Sequence, residues 1–155
     1  MGTARIKTKP WHVDFKKFRV YLRDKYKVDQ AYYFIGAFDP QYQDLYNFLQ
    51  SVGYIVVFRE HAGSSISRKK GNVDTDIVFT IMRKLLEKES FDNVVLVSGD
   101  GDYWRLVDYL ISIKRFAKLL APNHKSVSSL YKRTPDVFRD YLDSEPIKKK
   151  IIYKR

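Results

Sequence analysis

Two kinds of apolar pattern alternate along this chain, one of helical period and one of short continuous runs. After Asp14, a favourable N-cap, Phe15, Phe18, Leu22 and Tyr26 recur at helical spacing and predict an amphipathic helix. The run AYYFIGAF at 31–38, closed by Asp39 and Pro40, predicts a buried strand and a turn. Tyr42, Leu45, Tyr46 and Leu49 predict a helix ending near Gly53, and YIVVF at 54–58 predicts a second strand. The polar stretch EHAGSSISRKKGN reads as an exposed loop. Ile77, Val78, Ile81, Met82, Leu85 and Leu86 then mark a strongly amphipathic helix. NVVLVS at 93–98 is a continuous apolar strand, and GDGD is the turn after it. Tyr103, Leu106, Val107 and Leu110 begin a further helix, and FAKLLA at 116–121 is a strand. Short helices are expected at 126–132 and 135–142.

Strands that alternate with helices, and are too apolar to face water, argue for an α/β fold whose mainly parallel sheet is covered on both sides. A length of 155 residues fits one domain. It is placed at residues 1–143, with an irregular stretch at 1–13. The end, IKKKIIYKR, is charged, and 144–155 is expected to be a loosely held basic tail.

Composition adds constraints on chemistry. There are no cysteines, which excludes a disulfide scaffold, thiolate ligands for zinc and a thiol nucleophile. No run approaches the roughly 18 apolar residues of a membrane span, and no signal peptide stands at the start. A cytoplasmic protein without a membrane partner is therefore expected. The formal net charge is +11. A surplus of that size in a small domain attracts polyanions, because neutralising phosphates releases condensed counterions. Nucleic acid is the expected partner.

Against that positive background, acids gather in two segments. One is Lys70-Gly71-Asn72-Val73-Asp74-Thr75-Asp76, which runs into the amphipathic helix. The other is Ser98-Gly99-Asp100-Gly101-Asp102, between an apolar strand and the next helix. In open α/β sheets ligands bind beyond the carboxyl ends of the strands, where this second segment must lie. If Asp74 opens its helix, it shares a face with Ile77, Val78 and Ile81, while Asp76 lies about 200° round the axis and is the weaker candidate. Aspartates held close together repel one another unless a cation sits between them. Hard oxygen ligands suit magnesium or manganese, which bind through a few carboxylates plus substrate phosphate. Arg68, Lys69 and Lys70 are placed to hold a polynucleotide backbone. The plainer alternative is that Asp74, Asp100 and Asp102 each cap a helix. Tyr103 and Trp104, just after the turn, are candidates for stacking on a base.

These segments resemble a known family. K-G-N-V-D-T-D before an amphipathic helix, then V-L-V-S-G-D-G-D-Y, is similar to the NYN domain, a PIN-like nuclease group. YYFIG before a helix, and a strand at 116–121 followed by a proline, match as well; the similarity runs over roughly residues 14–142. The resemblance implies a PIN-like three-layer α/β/α sandwich and metal-dependent cleavage of RNA, single-stranded RNA being the expected substrate. It implies that Asp74, Asp100 and Asp102 are the catalytic, metal-holding acids with Asp76 as a less certain ligand, and that Ser98 lies in the same motif and binds substrate. Family members usually open with an apolar strand that ends in an aspartate. Here MGTARIKTKPWHVDF offers no such strand and no acid before Asp14. Three explanations stay open: the protein starts further upstream, a second copy or partner chain completes the sheet, or the domain binds without cleaving.

Two functions therefore compete: a magnesium- or manganese-dependent ribonuclease, and a catalytically impaired PIN-like module that binds RNA or protein. A third reading, a haloacid-dehalogenase-type phosphatase, rests on a faint likeness of VDTD and GDGD to that family's motifs. Such enzymes need the first motif at the end of an early buried strand, whereas VDTD here leads into a helix.

Overall fold

In a computed structural model of the chain, which describes residue 8 and residues 10–60 and 73–154, helix α1 (Phe15–Tyr26) begins where the pattern places it. The Asp14 carboxylate accepts the amide of Lys17 at 3.0 Å, and the helix buries Phe18, Tyr21 and Leu22. Strand β1 (Ala31–Ile35) follows, then helix α2 (Gln43–Ser51), which buries Tyr46 and Leu49. Gly53 turns the chain at φ 100°, a conformation that costs glycine little, and leads into β2 (Tyr54–Phe58). Helix α3 (Val73–Leu86) precedes β3 (Val94–Val97), and α4 (Trp104–Ser112) precedes β4 (Phe116–Ala121). The polar loop of the sequence falls mostly at 61–72, outside the described residues.

The two expected helices after β4 are corrected by the structure. Residues 126–132 give only a 3-10 turn at Ser129–Arg133, and 135–142 give a 3-10 turn at Asp136–Phe138 followed by strand β5 (Arg139–Tyr141). The strand is short and polar, so no alternation announces it. Tertiary bonds hold it instead: the Tyr26 hydroxyl donates to Asp140 at 2.6 Å, and Lys118 lies 3.5 Å from the same carboxylate. The basic end is also more ordered than its charge suggests. Helix α5 (Glu145–Ile151) buries Ile147 and Ile151 against α1, at i and i+4 of one face.

Among the described residues the strand ladders are all parallel. The sheet comes in two pieces, β1–β2 and β3–β4–β5. Helices cover both faces, as expected of an α/β/α sandwich. On one side α1 and α5 pack Phe18, Leu22, Ile147 and Ile151 against Val95, Val97 and Leu120. On the other, α4 and α3 pack Leu106, Leu110, Ile77 and Ile81 against Leu96 and Leu119. A third cluster joins α2 to β1 and β2 through Leu49, Ala31 and Tyr54, and Phe15 of α1 reaches it. No helix among the described residues is long and apolar enough to cross a membrane.

Candidate functional site

The turn after β3 is built by local hydrogen bonds. The Ser98 hydroxyl oxygen accepts the amide of Asp100 at 3.1 Å, and the Asp100 carboxylate accepts the amide of Asp102 at 2.9 Å. Asp100 is therefore the cap of a 3-10 turn, Gly101–Tyr103, that leads into α4. A neighbouring loop braces the turn from the side: Ser128 donates its amide to the Gly99 carbonyl at 2.9 Å, and the Tyr131 hydroxyl donates to the Asp100 carbonyl at 2.6 Å. Gly101 is required by space. A Cβ there would lie 2.4 Å from the Ser128 hydroxyl oxygen and 3.0 Å from its Cβ. Gly101→Ala is expected to cost about 1–3 kcal/mol by overpacking, with much of the loss recovered in Gly101→Ala/Ser128→Gly; urea unfolding of the two variants checks this.

The cap reading and the cluster reading are compatible, because the cap residue is also part of the cluster. Asp74, in the first turn of α3, stands beside Asp100 and Asp102, and one carboxylate oxygen of each lies within 4.8 Å of the others. Asp74 is half-buried while Asp100 and Asp102 are exposed, so the group opens to solvent on one side. Asp76 shares the first turn of α3 but is not one of the three convergent acids. Arg68, Lys69 and Lys70 lie outside the described residues. Ser98 borders the same cavity as the aspartates.

Two tyrosines complete the site, and sequence spacing did not assign them these contacts. The Tyr103 hydroxyl donates a short hydrogen bond to Asp74. The ring is only 3% exposed, so it is not available to stack on a base. Burial pushes the Tyr103 hydroxyl well above the ordinary tyrosine range, and the hydrogen bond to Asp74 and the charges of Asp74 and Asp100 push the same way. Tyr131 is raised as well, first by burial and then by Asp100 and Asp102. Both remain protonated donors at neutral pH. A hydroxyl whose pKa rises on folding contributes stability that is whole below about pH 10 and is lost as the pH climbs above it. Tyr103→Phe is expected to cost roughly 1.5–3 kcal/mol, the worth of a hydrogen bond to a charged group, and to flatten the fall of stability above pH 10; thermal melts from pH 7 to 11 check both. Trp104 is half-buried, with the Arg133 guanidinium 5.4 Å from its ring centre.

The donor set, three carboxylates, is compatible with a hard divalent ion. An octahedral magnesium or manganese site with metal–oxygen distances near 2.1 Å sets its ligand oxygens roughly 3 to 4 Å apart. Three carboxylate oxygens inside 4.8 Å meet that requirement with little movement. With no cysteine in the chain, a thiolate site for zinc is excluded.

The family model described as NYN domain matches residues 2–142. The low amplitude and bright protein LabA of Synechococcus elongatus is 28% identical over 109 residues, 64% of this chain. This chain spans about 57% of that relative's length. A crystal structure of a protein of unknown function from Vibrio parahaemolyticus superposes with a TM-score of 0.69 at 21% identity, covering 95% of this chain and 86% of that one. That likeness concerns the fold alone.

Proposed function

This chain belongs to the NYN domain family, and on that premise we propose that it is a metal-dependent ribonuclease acting on single-stranded RNA, with Asp74, Asp100 and Asp102 holding a magnesium or manganese ion. The observation that carries the reading is the meeting of three carboxylates from two separate segments in a chain of net charge +11. Acids are a poor choice for a surface that attracts phosphate unless a cation offsets them. Such an ion supplies Lewis acidity to a phosphodiester and to water beside it.

The protein's own groups do the positioning. Tyr103 holds Asp74 by its hydroxyl, and the turn that Ser98 and Tyr131 brace holds Asp100 and Asp102. Asp76 is assigned an accessory part at the same helix end. Ser98, Arg68, Lys69 and Lys70 are assigned to the RNA backbone, where such contacts fix position without reading sequence. The protein is placed in the cytoplasm. The test is incubation with single-stranded RNA in manganese or in excess chelator. Cleavage in manganese alone is expected; cleavage that chelator leaves unchanged refutes the reading.

One observation favours a second reading, binding of RNA without cleavage. The three aspartates converge at the border of a large cavity, and Asp100 and Asp102 are exposed, so the cluster opens to solvent on one side. Salt-sensitive RNA binding with no cleavage in either metal would decide for it.

A further inference from the structure

Charge divides between the two helical layers. Residues 14–27, which contain α1, and 144–154, which contain α5, carry ten cations against three acids. α3 and α4, in the opposite layer, carry three cations and three acids. Most of the net charge of +11 therefore comes from one layer. Folding turns it outward. α1 buries Phe18, Tyr21 and Leu22 and α5 buries Ile147 and Ile151, which leaves Lys16, Lys17, Arg23, Lys25, Lys149 and Lys150 exposed. The three acids among them are already engaged: Asp14 caps α1, Asp24 pairs with Arg23, and Glu145 lies 3.9 Å from Lys149.

At the start of α1 this face opens into a cleft of about 360 Å3, bordered by Val13, Asp14, Phe15, Lys16, Phe48 and Tyr153. Phe48 is 43% exposed and Tyr153 56%. The volume falls within the roughly 300–1,000 Å3 of small-molecule clefts. Cations in a row with aromatic rings beside them are what a single-stranded nucleic acid requires. The cations follow the phosphates and release their counterions, and the rings stack on bases, each of which offers a π-face. We propose that the outer face of α1 and α5, with this cleft, is a second binding site for single-stranded RNA. Its lysines take phosphates, and Phe48 and Tyr153 take one base; the choice of RNA rests on the ribonuclease reading.

A lipid surface, the other common polyanion, fits this face less well. Helices that lie on membranes turn an apolar stripe to the lipid, whereas α1 and α5 bury theirs in the core. Among the described residues, Val20 is the one exposed large apolar side chain on these two helices. The site is also separate from the aspartates. Asp74 begins α3, and Asp100 and Asp102 stand just before α4, both helices of the opposite layer.

The test is fluorescence anisotropy of labelled oligouridylate with the full chain in excess chelator. Lys16→Glu/Lys25→Glu/Lys154→Glu is expected to weaken binding about tenfold or more and to lower the salt slope by about 2, at roughly 0.7 per phosphate contact. Arg83→Glu/Lys88→Glu/Lys114→Glu makes the same change of net charge in or just after α3 and α4. It is expected to cost less than about threefold, because exposed charges beyond a Debye length are screened. Tyr153→Ala should weaken RNA binding about fivefold or more, the worth of a stacked base. Tyr153→Phe should bind as the parent does, and affinity for inorganic polyphosphate, which has no bases, should be unchanged in both. Equal loss in the two triple variants, parental RNA binding in the first triple variant or in Tyr153→Ala, or a Tyr153→Ala loss that extends to polyphosphate overturns the proposal. So does a first triple variant that loses phosphatidylserine vesicles and keeps RNA, which makes a lipid surface the partner. Binding is read without metal, so its failure leaves the ribonuclease reading standing, and failure of that reading leaves this binding measurable.

Discussion

Replacing Asp100 by asparagine is expected to lower manganese-dependent RNA cleavage a hundredfold or more while leaving the fold intact. Asparagine keeps the size and the side-chain oxygen that accepts the amide of Asp102, and it is as good a cap as aspartate. What it removes is charge at the meeting point of the three carboxylates. Groups that merely orient a metal ligand are worth about 10–100-fold, so loss of a ligand's charge should exceed that. Stability of the variant should stay within about 0.5 kcal/mol of the parent, as for other exposed substitutions. Asp74→Asn should lose activity to a similar degree and some stability too, because Tyr103 then bonds a neutral amide instead of a carboxylate. Initial rates on labelled RNA, beside urea melts of the same preparations, separate the two effects. Wild-type rates in Asp100→Asn would place the chemistry elsewhere.

The second large effect concerns the core. Leu119, at the centre of β4, is wholly buried between Leu96, Leu110 and Phe116 in the cluster under α4. Leu119→Ala should cost about 2–5 kcal/mol, the transfer of the lost carbons plus the cavity left behind. Leu49 is equally buried, but it belongs to the cluster of the other half-sheet. If the halves unfolded separately, Leu49→Ala would shift one transition and Leu119→Ala another. One transition is expected instead, because α1 places Phe15 in one cluster and Phe18 and Leu22 in another, tying the halves together. Urea unfolding followed by circular dichroism and by tryptophan fluorescence tests it. Coincident curves that shift together in both variants are predicted, and separated curves contradict the account.

What was legible from sequence divides along physical lines. Apolar strands and amphipathic helices announce themselves, so α1 to α4 and β1 to β4 stand close to where the pattern puts them. The convergence of the acids at 74, 100 and 102 was legible for a different reason: a strand's carboxyl end and a helix start fix where such residues point, whatever the remaining packing. β5 was hidden because Arg139 and Asp140 look like solvent residues, yet they pair with Asp136, Tyr26 and Lys118. α5 was hidden behind its lysines, although Ser144 and Pro146 at its start and the pair Ile147 and Ile151 are a helix signal of modest strength. The bond from Tyr103 to Asp74 joins residues 29 apart and has no sequence signature. The divided sheet is of the same kind. A pattern shows which runs are strands, but not which edges meet.

The central claim is that three aspartates from two segments bind one divalent ion together. Calorimetric titration of manganese into the protein measures this most directly. The account predicts one ion per chain, with binding weakened at least tenfold in Asp74→Asn and in Asp100→Asn alike. Absence of binding at millimolar manganese, or binding indifferent to both substitutions, would contradict it.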